Sequence, residues 1–500
     1  AIWDAKERRL LLARDRFGIK PLYWRAAGGV LSFASELKAL RGLPGFAGEI
    51  DPDAVEAFFT FNSIPSPLTI YRDVSKLEPG TLLSWRPGAD PQLRRWCRPA
   101  PVDAADVRRE DERELAAELG ARLRDSVRAH LVSDVPVGVW LSGGVDSGLL
   151  AALAAQESGA RLRTFSIGFH ERSFDELDRA RLVAARLGAD HHEEILGPQD
   201  AAALPLIAAA FDEPYADSSS LPTWAVARQT SRHVKVALSG EGGDELFGGY
   251  HTYAADMLAP RLAPAARLVR PLVERLPSSS RRVSLDYRAR RFVRAAQLPP
   301  LERHHGWKEI LTGELRAQLL APLHDGRAPA DPVDRLRARY AETAGAQALA
   351  RLQDVDMAPY LSDDLLTKTD RMSMAHSVEV RVPFLDPVVA ELALALPTSA
   401  KVRGMAKKRL LRSVAATLLP REIARGAKRG FSIPMAAWLR GDLLAMARDL
   451  LAPDALRRGG ILDPAPVTRL LDEHVARRDD HSRALWGLLC FALWQEGSAR

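Results

Sequence analysis

Cysteine is nearly missing from this chain: 500 residues hold only two, Cys97 and Cys490, far apart and each in a tryptophan-rich apolar setting. That scarcity excludes a disulfide scaffold and a cysteine-based zinc site, and the two thiols read as structural and reduced. Long hydrophobic runs are missing as well. The longest uncharged apolar stretch, Ala484 to Trp494, is well short of the ~18–20 residues that a membrane span needs. It reads as a buried C-terminal helix, so no membrane partner is expected. The opening residues, Ala-Ile-Trp-Asp-Ala-Lys-Glu-Arg-Arg, carry neither an initiator methionine nor a basic-then-apolar leader. A cytoplasmic protein, without its natural start, is the expectation. There is no Gly-Lys-Ser/Thr phosphate loop of the Walker type, no internal repeat and no long low-complexity tract.

Charge is close to balanced. Seventy Lys and Arg against 64 Asp and Glu give +6, with the excess mostly arginine. Basic residues are densest from Arg261 to Arg294, at Arg281-Arg282 and Arg288-Ala289-Arg290-Arg291, where they alternate with Leu and Val as on a solvated amphipathic helix. No RNA-binding signature accompanies them, so a nucleic-acid partner is not expected.

Residues 1 to 98 alternate short apolar runs with turns, such as Leu10-Leu11-Leu12-Ala13 and Val30-Leu31-Ser32-Phe33-Ala34, which predicts a mostly β segment. A Pro- and Ala-rich stretch at 99–110 reads as a linker. Beyond it Leu115, Leu119, Leu123, Val127 and Leu131 recur every four residues, the stripe of a helix packed on a sheet. Strand and helix patterns then alternate, with strands at 135–141, 163–169 and 234–238. This predicts an α/β fold with a doubly wound parallel sheet, followed from 251 by a largely helical part. Such sheets bind ligands at the carboxyl ends of their strands.

Two glycine-rich turns follow two of those strands. Ser142-Gly143-Gly144-Val145-Asp146-Ser147 leads from an apolar strand into a good helix former, Gly148 to Ala155. Two glycines let backbone pass close to a bulky anion, and the N–H groups at the new helix's start attract a pyrophosphate, with Ser142 and Ser147 as added donors. Asp146 would repel phosphate there unless a cation such as Mg²⁺ stood between them. The second turn, Ser239-Gly240-Glu241-Gly242-Gly243-Asp244-Glu245, would lie on the same sheet edge. Asp146 and Asp244 could then share the Mg²⁺ of ATP, leaving Glu241 for proton or amine chemistry. His191-His192-Glu193 does not read as a metal site, because adjacent side chains on an extended segment face opposite ways. Trp438, Trp486 and Trp494 read as core.

These two turns, together with the runs Tyr360 to Ala375, Glu379 to Asp386 and Lys428-Arg429-Gly430-Phe431, resemble glutamine-dependent asparagine synthetase in family order. Arg14 to Tyr23 and Phe33 to Leu40 resemble the later half of that family's glutaminase domain, an N-terminal-nucleophile fold of antiparallel sheets. Its earlier half, with the nucleophilic cysteine, is not matched, so this stretch alone is not expected to hydrolyse glutamine. The resemblance implies an ATP pyrophosphatase domain over 111–500 that adenylates the side chain of aspartate and passes it to ammonia. By that resemblance Leu141 and Ile167 flank adenine, and Ser142, Gly143, Gly144, Ser147, Ser239 and Gly240 hold phosphates. Asp146 and Asp244 take Mg²⁺, Glu241 receives a proton from ammonia, and Lys428 stabilises charge on the phosphates. Arg381 and Asp386 either frame aspartate or form a salt bridge beneath the site. The implied partners are aspartate and ammonia or glutamine, with a homodimer as the assembly. A β-lactam synthetase or peptide cyclase acting on another carboxylate is the nearest alternative, and a tRNA-modifying ATP pyrophosphatase a more remote one.

Overall fold

The structure is a computed structural model that describes residues 1–171, 173–275, 285–324, 326, 329–426 and 432–499. Its N-terminal part is built of antiparallel strands. β1 (Ile2–Asp4), β2 (Arg9–Ala13), β6 (Thr81–Trp85) and β7 (Gln92–Arg95) form one sheet in the order β1-β2-β6-β7. β3 (Tyr23–Ala27), β4 (Val30–Ala34) and β5 (Ser75–Lys76) form a second, in the order β4-β3-β5. Period-two alternation puts Leu10, Leu12 and Leu83 of one sheet against Leu31, with Leu77, in a small shared core. The expected β segment also contains a helix, Pro52–Phe61, started by Asp51, whose carboxylate accepts from the Asp53 N–H, with proline at the first helical position.

Residues 99–110 carry no helix or strand, yet they are not a free tether. Asp103 bridges Ala346, and the Arg108 N–H donates to the Ala395 carbonyl at 2.9 Å.

The parallel sheet has five strands in the order β10-β9-β8-β11-β12: β10 (Asp190–Leu196), β9 (Arg163–Phe169), β8 (Val137–Trp140), β11 (Val236–Leu238) and β12 (Glu379–Arg381). Two strands are shorter than the sequence pattern suggested. Pro136, which has no N–H to give a ladder, stands before β8. Side chains alternate between two cores: Val139 and Leu238 pack with Leu149 and Leu153 on one face, while Trp140, Phe165 and Ala237 join the other. The helix Glu112–His130 buries Leu115, Leu119, Leu123 and Val127 of the stripe read from the sequence, but packs them chiefly on the helices Val145–Glu157, Pro387–Ala395 and Arg409–Ala415 rather than on the sheet. On β10 the adjacent histidines do face opposite ways: His191 bonds Thr164 at 2.8 Å, whereas His192 stacks on Phe165 and His233.

Strand order decides where a ligand can enter. From β8 the chain moves outward through β9 and β10, then returns to lay β11 on the other side of β8. That reversal is a topological switch point, and it opens a crevice beyond the carboxyl ends of β8 and β11.

From residue 251 the described chain is mainly helical. Its last helix, Ser482–Ala499, buries Trp486, Phe491 and Trp494, and Phe491 packs 5.8 and 5.2 Å from the rings of Phe58 and Phe59 in the N-terminal part. Trp438 is buried in the same core. Among the described residues no helix is long and apolar enough to cross a membrane. Arg281 and Arg282 lie outside the described residues.

Candidate active site

Both glycine-rich turns leave the sheet at the switch point. The Leu141 N–H still donates to the Phe165 carbonyl at 2.8 Å, after which the chain turns through Ser142–Gly144 into the helix Val145–Glu157. Gly143 has φ +71°, and a Cβ there would lie 2.8 Å from Arg179 Cβ and 2.9 Å from the Ala180 nitrogen. Only glycine suits both demands. The Ser142 N–H donates to Ser147 Oγ at 3.1 Å, and the two hydroxyls are 3.0 Å apart, so the turn is closed by its own serines. N–H groups in a helix's first turn have no partner within the helix and carry its positive dipole end, which suits an anion.

The second turn is anchored from the other side, where the Ser239 N–H donates to the Arg381 carbonyl at 2.9 Å. The two turns touch. A Cβ on Gly240 would sit 3.2 Å from Asp146 Cβ and 3.3 Å from the Ser147 nitrogen. Asp244 stands in the short helix Gly243–Phe247 that follows.

Together they wall a cleft of about 310 Å³. Of the residues expected to form a site, Leu141, Ser142, Gly144, Asp146, Ser147, Ile167, Ser239, Gly240, Glu241 and Asp244 all line it. Gly143 shapes the turn behind them. Part of its lining is apolar, made by Trp140, Leu141, Phe165, Ile167 and Val226. Another part is ionic.

There Lys408 Nζ lies 2.5 Å from Asp146 Oδ2 and 2.6 Å from Asp244 Oδ1. Burial works against the ammonium's charge, but the two carboxylates hold its pKa above the ordinary lysine value. Two hard oxygen donors thus converge on one cationic centre beside a glycine-rich turn, the donor chemistry that Mg²⁺ takes. Asp146 and Asp244 fit that ion.

A second ionic cluster lines the adjoining wall. Lys368 Nζ donates to Asp217 Oδ2 at 2.8 Å and to Ser219 Oγ at 2.7 Å. Burial opposes its charge as well, and Asp217 with Glu241 raises its pKa. Glu241 Oε1 accepts from Thr369 Oγ1 at 3.4 Å. Behind them Asp364 receives the Tyr215 hydroxyl, and burial, reinforced by the charge of Asp217, pushes its carboxyl up to about 8. Asp364 sits in a π-helical stretch, Met357–Leu366, whose wide turns also bring Tyr360 to the cleft.

Two expected residues are elsewhere. Arg381 donates from Nη1 to the carbonyls of His130 and Val132, both at 2.7 Å, and from Nε to Glu379 at 2.7 Å. Its backbone, not its guanidinium, supports the site. Asp386 caps the helix Pro387–Ala395 by accepting from the Val388 N–H at 3.0 Å. Neither lines the cleft: the Arg381 guanidinium is held by two backbone carbonyls and Glu379, and the Asp386 carboxylate caps a helix. Lys428 lies outside the described residues, as do Arg429, Gly430 and Phe431 of the same run.

The structure adds residues that sequence reasoning missed: Lys408, Lys368, Asp217, Arg179 and Arg412. Lys368 lies inside the Tyr360–Ala375 run and could have been found there. Lys408 looks in sequence like any basic residue opening a solvated helix. Arg412 donates to the carbonyls of Lys407, Ala424 and Gly426 at 2.7–3.0 Å, and so holds the chain that leads to Lys428.

Comparison with known proteins bears on the same residues. The family profile described as asparagine synthase matches residues 118–496, and the one described as glutamine amidotransferase domain matches residues 1–96. A Mycobacterium bovis protein named putative asparagine synthetase [glutamine-hydrolyzing] is 38% identical over 502 residues, covering 99% of this chain and 75% of that protein. Asparagine synthetase [glutamine-hydrolyzing] 1 of Bacillus subtilis is 33% identical over 494 residues, covering 99% of this chain and 76% of its own. More distant, at 27% over 515 residues, is a Gibberella zeae protein named amidase chry2, with 92% of this chain and 73% of that protein covered.

Proposed function

Because this chain belongs to the asparagine synthase family, we propose that it amidates aspartate to asparagine in two ATP-driven steps within the cleft at the β8/β11 switch point. The observation that carries this reading is the meeting of two glycine-rich turns over one cleft, with Asp146 and Asp244 converging on a single cationic centre between them.

In the first step a side-chain carboxylate oxygen of aspartate attacks the α-phosphorus of ATP, and pyrophosphate leaves. Leu141 and Ile167 sandwich the adenine. Ser142, Gly143, Gly144, Ser147, Ser239 and Gly240 receive the phosphates through backbone N–H groups and hydroxyls, donors placed before charge develops. Asp146 and Asp244 hold the Mg²⁺, which supplies neutralisation of phosphate charge. Lys408, and by the family resemblance Lys428, add positive charge against the phosphates.

In the second step ammonia attacks the carbonyl carbon of the aspartyl-AMP, the acyl–oxygen bond breaks, and AMP leaves with that oxygen. The attacking nitrogen must lose a proton. Glu241 is our candidate to take it: it stands in the second turn, lines the cleft, and its charge acts on Lys368 across the site. The glutamine amidotransferase match over residues 1–96 supports glutamine as the nitrogen source to which this chemistry is coupled.

The test is release of pyrophosphate from Mg·ATP with ammonium as nitrogen donor, followed with aspartate and with other carboxylates. Aspartate-dependent release with asparagine formed supports the proposal. Release only with a different carboxylate keeps the adenylation and moves the chain to another amide-forming activity.

A further inference from the structure

Lys408 occupies the place where the two acids of the cleft converge. Its Nζ is within 2.6 Å of an oxygen of each of Asp146 and Asp244, and its side chain is only 5% exposed. Reaching that point takes an unusual backbone: Lys408 has φ 52° and ψ 36°, a left-handed conformation that non-glycine residues avoid. A short hairpin, in which Val402 pairs with Lys407 and Arg403 with Ala406, delivers it to the start of the helix Arg409–Ala415. The aliphatic part of the side chain then threads past Gly249, where a Cβ would overlap both Lys408 Cε and the Asp244 carboxylate. A strained residue whose route to two carboxylates is kept clear by a glycine is held there by its surroundings, and such strain collects at functional sites.

An ammonium and a divalent cation cannot share this position. Either one neutralises the acids, and each repels the other at contact distance. We propose that Lys408 is an exchangeable resident cation: it neutralises Asp146 and Asp244 in the nucleotide-free cleft, excludes free divalent metal from them, and gives way when the metal arrives with ATP. This rests on the reading that Asp146 and Asp244 hold the metal of Mg·ATP. Once displaced, the ammonium has the incoming phosphates as its new counter-charge. The pair of acids is then never left without a cation, and metal entry is tied to nucleotide entry. Lys408 is on this account a positioning residue for the metal.

The experiment measures Mn²⁺ binding to the full chain by the loss of the free-ion electron paramagnetic resonance signal, with and without ATP. Wild type without nucleotide should bind Mn²⁺ weakly, and Lys408→Met should bind it at least about tenfold more tightly, as removal of one like charge at contact distance requires. Lys408→Arg, which keeps the charge, should behave as wild type. Equal or weaker Mn²⁺ binding by Lys408→Met overturns the proposal. If Lys408→Met does not stay folded in metal-free buffer, recovery of its melting transition by Mn²⁺ supports the exchange and lack of recovery refutes it. A separate arm isolates the underlying reading: wild type that takes up no more Mn²⁺ with ATP than ATP takes up alone shows that the acids do not hold the nucleotide's metal.

Discussion

Asp364→Asn should make the protein more stable relative to wild type as the pH rises from 5 to 7. The buried Asp364 carboxyl has its pKa moved from 3.8 to about 8 by burial and by Asp217 beside it, with Lys368 and the Tyr215 hydroxyl opposing. A carboxyl raised in this way is at ease below pH 3.8, where folded and unfolded forms are both protonated. Above that the unfolded chain ionises and the folded one resists, so the folded state loses about 1.36 kcal/mol per pH unit until the pH reaches about 8. Between pH 5 and 7 the loss is about 2.7 kcal/mol. Asparagine has no proton to lose and keeps an oxygen for the Tyr215 hydroxyl. At ~2.1 cal/mol/K of unfolding entropy per residue, the chain has roughly 1 kcal/mol/K, so the variant-minus-wild-type difference in Tm should grow by about 3 °C over that interval. Scanning calorimetry at pH 5, 6 and 7 reads it directly. Any fixed cost of the substitution cancels, because only the change with pH is used. A difference in Tm that stays constant, or one that turns against the variant at pH 7, would refute the argument.

Glu241→Gln should retain a single-turnover burst of aspartate-dependent pyrophosphate while asparagine formation falls by about 10²- to 10⁴-fold, the usual worth of a positioned base; rapid-quench assay of both products checks it. Gly249→Ala should abolish ATP-dependent turnover, since the added methyl overlaps Asp244 and Lys408, and calorimetric titration should show Mg·ATP binding lost. Lys76→Met should destabilise the protein by about 3–5 kcal/mol by leaving Glu213 charged in a buried position, and adding Glu213→Gln should recover most of that loss in denaturant unfolding.

The fold was legible wherever one face of an element is buried along its whole length. Leu115 to Val127 show a helical stripe because that face lies on the neighbouring helices, and 163–169 reads as a strand because six of its seven residues are buried. The helix at Pro52–Phe61 is signalled at its start by Asp51 and Pro52, but it is only ten residues long and lies among short apolar runs that read as strands. The 99–110 stretch has the composition of a linker, and it carries in addition backbone contacts from Asp103 to Ala346 and from Arg108 to Ala395, partners that sequence cannot reveal.

At the cleft the division follows the range of the forces. Sequence alone determined both glycine-rich turns, because each is a local event: glycines for close backbone approach and a helix start after a strand, with two serines closing the first turn. It also determined which acids stand in those turns. Only the tertiary structure decided which charge meets which. Lys408 is 262 residues from Asp146, and Lys368 is 151 from Asp217, and no local pattern encodes such pairings. The same holds for Arg381 and Asp386, whose motif is plain in the sequence but whose side chains were drawn to backbone groups that lie nearest them in space. Local sterics write the turns, whereas electrostatic partners depend on how the chain is wound, here on the reversal of strand order that sets β11 beside β8.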